Sequence, residues 1–390
     1  MAPTSINAAG RIGRLPGPCR DIESGLTGGS SMNERPERDA ARVSRREFLS
    51  TVAAAGATVA GGPMILHATD KAGSKRPVVG SGKFTYEVYH DWGALPASIQ
   101  YGNTHGVCQD AQGHVYIHHT VHAGSENHDT MVVFDEQGRF VKSWGKEFEG
   151  GAHGLHIRKE GSGEFLYLCD TKRALVVKAT PDGEVVWTLG YPKESPQYPL
   201  DADGKPATKY SPTNVAIASN GDVYVADGYG SSYITQYDKD GVFIRTFGGK
   251  GKEAGQLDCP HGLIVDERGK QPVLLVADRG NRRLQTFSLD GKHLAFYQGT
   301  NAPCHFHAHK DVMVVPDLFA RVTLVDQANA PIVHLGDNGI DSWKELRQGP
   351  REAFPAGKFV CPHGAMFDHE GNIFIVEWVE VGRVTKLKRV

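Results

Sequence analysis

The chain has 390 residues, with 43 Lys and Arg against 45 Asp and Glu, so its net charge makes no electrostatic case for nucleic acid or an anionic membrane. Its 47 glycines fit a turn-rich β protein better than a helical one.

The first 75 residues are rich in Gly, Ser, Arg, Ala and Pro and show no strand alternation. Within them, Ser44-Arg45-Arg46-Glu47-Phe48-Leu49 precedes a weakly apolar run from Thr51 to Gly62. That run is too short to span a bilayer, which takes ~20 apolar residues. Twin arginines before a short apolar stretch resemble a Tat export signal, with Met32 as an alternative start that gives a leader of ordinary length. The expectation is a leader over 1–75, a protein that works in the periplasm or outside the cell, and no membrane insertion after processing. The five cysteines beyond it, Cys108, Cys169, Cys259, Cys304 and Cys361, form an odd set, which speaks against a disulfide framework.

From residue 84 onward one pattern repeats: apolar strand, Asp/Gly turn, strand ending near Asp, third strand, Asp-Gly turn, and a fourth strand ending in Gly. In the clearest copy, Val273–Asp278 is the second strand, Arg283–Gly291 the third with its turn, and His293–Gly299 the fourth. Fourth strands end at Gly145, Gly190, Gly248, Gly299 and Gly336. The last unit has only three strands before Val390, and Phe84–Trp92 can supply the fourth, closing a ring and removing open sheet edges. The predicted fold over 84–390 is therefore an all-β, six-bladed propeller. Asp278 to Phe287, Asp227 to Tyr237 and the Gly255–His261 lead-in resemble the NHL repeat.

Aligned on their first strands, the units read Thr104-His105-Gly, Ala152-His153-Gly, Pro212-Thr213-Asn, Pro260-His261-Gly, Pro303-Cys304-His305-Phe and Pro362-His363-Gly, so four of six carry His at the matched position and a fifth offers Cys304 or His305 nearby. The innermost strand of each blade lines the axis, so these positions converge at one mouth although His105, His153, Thr213, His261 and His363 follow one another at steps of 48, 60, 48 and 102 residues. Imidazoles from three blades suit one ion with an open coordination position. Zn²⁺ is the default ion for such a set, and Cu, Fe or Ni also accept imidazole. The glycine after each histidine allows close backbone approach. His105 and the His305-x-His307-x-His309 run make a possible additional site, since alternation along a strand puts such residues on one face.

The stretches around His153, Tyr229, Cys259-Pro-His261-Gly and Cys361-Pro-His363-Gly resemble peptidyl-α-hydroxyglycine α-amidating lyase, a six-bladed propeller with a catalytic zinc. The resemblance implies His153, His261 and His363 as ligands and Tyr229 as general base. It implies cleavage of an N-acyl-α-hydroxyglycine carbinolamide to an amide and glyoxylate, with a small-molecule or peptide substrate at the mouth. Two positions depart from that family. His119 stands where its substrate-contacting arginine is expected, and a histidine does not grip a carboxylate as a permanent bidentate cation does. Gly364 stands where an acidic residue accompanies a structural calcium, so the calcium loses that ligand. Two alternatives stay open: a metal-dependent oxidase or hydrolase using the extra histidines, and a non-catalytic propeller that binds a protein partner. Oligomeric state is not legible.

Overall fold

The computed structural model describes residues 76–390; the leader and its twin-arginine motif lie outside the described residues. Six antiparallel sheets are arranged as the blades of a propeller. Their innermost strands are Tyr101–Gln109, Ala152–Glu160, Asn214–Ile217, Pro260–Asp266, His307–His309 and Pro362–Phe367, for blades 1 to 6 in turn. Ring closure follows the sequence: Phe84–His90 pairs with the last strand, Arg383–Arg389, and completes blade 6. A further strand, Val78–Ser81, pairs outside it and makes that sheet five-stranded, so the fold begins ahead of the expected residue 84. Its side chains are mostly exposed, so it lacks the apolar alternation by which a strand announces itself.

The repeat dictates how the blades pack. Apolar residues of the inner three strands alternate to both faces of each blade, and the core is six clusters, one between each pair of neighbouring blades. Outer strands are less covered, and Val185–Leu189 leaves three of its five residues exposed. At the strand ends Gly145, Gly248 and Gly299 take φ values of 90°, 94° and 107°, which a side chain resists, and this is why Gly recurs where the chain turns toward the next blade. Among the described residues no helix is long and apolar enough to cross a membrane. The helical pieces are short, and one of them, Trp343–Leu346, lies in the long connection between blades 5 and 6.

A second six-fold position explains the blade interiors. The residue preceding the aligned position, which is His in blades 2, 4 and 6 and Cys304 in blade 5, pairs with the end of the second strand: Ala152 with Asp170, Pro260 with Asp278, Pro303 with Asp317, and Pro362 with Glu377. Each acid is buried and accepts backbone N–H groups of a neighbouring turn or lead-in: Lys172 and Arg173 for Asp170, Asp258 for Asp278, Asn301 and Ala302 for Asp317, Val360 and Cys361 for Glu377. Asp227 does the same in blade 3, accepting from Ser211 and Ser231. In blade 1 the matching pair is Thr104 with His119.

Candidate metal centre

The aligned histidines converge. Ring centroids of His153, His261 and His363 lie 4.7 to 4.8 Å apart, and all three side chains are buried. They come from blades 2, 4 and 6, so alternate blades place them around the axis in a three-fold arrangement. Each sits where the ladder to the second strand slips register, between Ala152 and Leu155, Pro260 and Leu263, and Pro362 and Gly364. Such a bulge bends a strand and re-aims a side chain that regular alternation would send elsewhere.

The intervening blades fix the rings. Nδ1–H of His153 donates to the carbonyl of Thr213 at 2.7 Å, His261 to Cys304 at 2.9 Å, and His363 to His105 at 3.0 Å. A carbonyl only accepts, so each Nδ1 carries the proton and each Nε2 keeps its lone pair. The glycine after each histidine serves the same contact. A Cβ on Gly154, Gly262 or Gly364 would stand 2.6, 2.4 or 2.6 Å from those same carbonyl oxygens. His-Gly is thus one device: the ring bonds the neighbouring blade's carbonyl, and the missing side chain lets that carbonyl approach.

Tyr229 stands at the same centre. Its hydroxyl is 3.2 Å from Nε2 of His153 and 3.1 Å from Nε2 of His261. One phenolic proton faces both lone pairs, and Nε2 of His363 has no hydrogen-bond partner in the protein. Burial holds these histidines neutral, with His153 lowered to about 3 and His261 and His363 far below the usual range. Three converging lone pairs with one proton among them is a donor set that fits a cation such as Zn²⁺.

His105 joins this cluster, 4.9 Å from His153 and 4.6 Å from His363 between centroids, and His105, His153 and His363 together could hold an ion. A second overlapping set is His261, Cys304 and His363. Burial pushes the Cys304 thiol up to about 11. Cys304 is a free thiol, as are Cys108, Cys169 and Cys361.

His305 and His307 lie elsewhere. The His305 ring packs 4.9 Å from His156, its Nδ1–H donating to Ala365 at 3.2 Å. His307 accepts the N–H of Phe367 at 3.1 Å, which puts its proton on the other nitrogen. Neither forms a three-residue ligand group with His105 among the described residues. His119 occupies the blade-1 version of the carboxylate slot: it is fully buried, packs edge-on against Tyr101 at 4.8 Å, and burial lowers it to about 4, so at neutral pH it carries no charge.

Arg279 has no signal in residue type alone. It follows Asp278 in blade 4, is 1 % exposed, and its guanidinium lies 5.3 Å from the Tyr229 ring centroid. Its Nη2 donates to Cys259 Sγ at 3.2 Å. Burial raises the Tyr229 phenol, and the Arg279 cation opposes that rise. Only the convergence of blades 3 and 4 reveals the pair. A cavity of about 450 Å³ lined by Trp92, Asp368 and Phe374 lies away from these residues.

No protein-family model matches the chain. A mouse peptidyl-glycine α-amidating monooxygenase is 32 % identical over 179 residues, 43 % of this chain and 17 % of that protein. Peptidyl-α-hydroxyglycine α-amidating lyase 1 of Drosophila melanogaster is 29 % identical over 234 residues, 52 % of this chain and 40 % of the relative. Human NHL repeat-containing protein 3 is 26 % identical over 217 residues, 53 % and 58 % respectively. The matches thus span well under two thirds of these relatives. A streptogramin B lyase structure superposes with TM-score 0.52 at 15 % identity, covering 77 % of this chain and 97 % of that one, which shows the fold alone. The chain is a six-bladed NHL-type β-propeller related in sequence to the peptidyl-α-hydroxyglycine amidating lyases and to the NHL repeat-containing proteins.

Proposed function

We propose that the chain is a metal-dependent carbon–nitrogen lyase that splits an N-acyl-α-hydroxyglycine-like carbinolamide into an amide and glyoxylate. The observation that carries this reading is the meeting of three Nε2 lone pairs from alternate blades with the hydroxyl of Tyr229. His153, His261 and His363 would hold the ion, zinc by donor type, and when bound it would polarise the substrate hydroxyl and lower the pKa of groups around it. Tyr229 in its phenolate form takes the hydroxyl proton as the carbon–oxygen double bond of glyoxylate forms. The carbon–nitrogen bond breaks with its electron pair going to nitrogen, and Tyr229 returns the proton there. Arg279 stabilises the phenolate between these transfers, since its charge is fixed and lies over the ring. Burial of the three histidines and of Arg279 limits the water that competes for these protons.

The twin-arginine segment supports export as the setting of this activity. A second reading is favoured by His105 and Cys304, which enlarge the donor set toward a copper or iron centre of oxidase or hydrolase type. The test is metal analysis of the purified full chain, followed by glyoxylate release from α-hydroxyhippurate. Stoichiometric zinc with glyoxylate release is expected. Zinc-replete protein that releases none refutes the lyase reading, and native copper or iron shifts weight to the second.

A further inference from the structure

The mouth beside the histidine cluster is bordered by a cation that the proposed chemistry has not used. Arg347 follows the short helix Trp343–Leu346 in the connection between blades 5 and 6. Its guanidinium carbon lies 3.4 Å from the centroid of Trp378, so the cation sits against the face of the indole. Both supports belong to the rim of the site. Trp378 donates its backbone N–H to the carbonyl of Cys361, two residues before His363. Asn103, two residues before His105, accepts from Nη2 of Arg347 at 3.4 Å. Arg347 therefore bridges the mouth between blades 6 and 1, next to two of the clustered imidazoles. Tyr229 and His105 both feel its charge.

The hydrogen-bonding capacity of this guanidinium is largely unspent. A stacked guanidinium keeps its donors free in its own plane, directed outward from the indole edge. The bond to Asn103 is long, the nearest carboxylate is Glu380 at 3.6 Å with that side chain 51 % exposed, and Nε has no hydrogen-bond partner in the protein. An ion pair with so exposed a partner is worth little and is easily exchanged for a better-placed anion. Arg279, by contrast, is enclosed beneath Tyr229 and bonded to Cys259, so it cannot reach out to a ligand. His119 is neutral within blade 1.

We propose that Arg347, laid on Trp378 and steadied by Asn103, forms a carboxylate-binding subsite at the mouth, supplied by the connection between blades 5 and 6 instead of by blade 1. A guanidinium edge matches a carboxylate by two parallel N–H···O bonds. This inference rests on the lyase reading for the identity of the acyl-glycine skeleton, but its test does not depend on turnover.

The probes are hippurate, which carries the carboxylate and lacks the reacting hydroxyl, and hippuramide, its uncharged carboxamide. Binding of each to the full chain is measured by calorimetry for wild type, Arg347→Ala and Arg347→Lys, with thermal melting as the folding control. Wild type is expected to prefer hippurate over hippuramide at least tenfold. Arg347→Ala should abolish that preference with hippuramide affinity unchanged, and Arg347→Lys should retain part of it. No preference in wild type, or an equal preference in Arg347→Ala, overturns the proposal. If wild type shows Arg347-dependent hippurate binding yet releases no glyoxylate from α-hydroxyhippurate, the lyase reading falls and the subsite stands. If Arg347→Ala releases glyoxylate with an unchanged KM, the subsite falls and the lyase reading stands.

Discussion

Gly262→Ala tests whether backbone proximity between blades governs the metal centre. The new Cβ would sit 2.4 Å from the carbonyl oxygen of Cys304, whereas real Cβ contacts essentially never fall under 3.0 Å. Blades 4 and 5 must therefore part locally by at least ~0.6 Å, because the clashing atom is backbone and cannot rotate away. The same oxygen accepts Nδ1–H of His261 at 2.9 Å. Adding that shift takes the bond to roughly 3.5 Å, where a hydrogen bond fails. A ligand ring that loses its orienting partner typically costs 10- to 100-fold in metal affinity. The assay is zinc affinity by competition with a chromophoric chelator, with thermal melting alongside. Gly190→Ala is the control, since its Cβ would meet only Leu175 at 3.8 Å. Expected is a loss of roughly 10- to 100-fold for Gly262→Ala and wild-type affinity for Gly190→Ala. Wild-type zinc affinity in Gly262→Ala would refute the reasoning, because the carbonyl would then have no hold on the ring.

Other consequences are equally direct. Tyr229→Phe should keep zinc binding within a few-fold and lower kcat for glyoxylate release by roughly 10²- to 10⁴-fold, the usual contribution of a general base; equal kcat would remove Tyr229 from the chemistry. Glu377→Ala leaves the buried Arg383 unpaired and the N–H groups of Val360 and Cys361 without their acceptor, so denaturant melts should show a loss of roughly 3–5 kcal/mol. His90 tests ring closure by pH. It donates to Thr385 and accepts the N–H of Gly357, and burial lowers its pKa from 6.5 to about 4. A depressed folded-state pKa means the stability is fully present above 6.5 and is lost as pH falls toward 4, by about 3 kcal/mol at most. His90→Asn should flatten that part of the pH–stability curve relative to wild type, and parallel curves would contradict the assignment.

Much of this was legible before any coordinates because the repeat turns spacing into geometry. Strands bounded by Asp-Gly turns and a terminal Gly mark each blade, and Val273–Asp278 is found as predicted. One aligned position per blade then meets at the axis, which is why His153, His261 and His363 could be named together. What stayed hidden depends on contacts the repeat does not encode. The carbonyls of Thr213, Cys304 and His105 act through backbone, so their residue types give no sign of it. Arg279 and Arg347 look like any other arginines until neighbouring blades bring them to Tyr229 and to the rim. His119 stands out in the sequence because the resembled family has a substrate-contacting arginine at that strand end. Its five counterparts are Asp or Glu that bind backbone N–H groups of turns and lead-ins, an internal role no single blade discloses.

The alternation of blades has a genetic consequence. Blades 2, 4 and 6 present imidazoles, while blades 1, 3 and 5 present the carbonyls that orient them. The working period of the ring is therefore two blades. Blade 1 fills both roles, since His105 brings a ring to the cluster while its carbonyl orients His363. Loss of one intervening blade would nonetheless set two of the three ligand blades side by side and break their even spacing around the axis, so the ligand geometry ties this centre to its blade count.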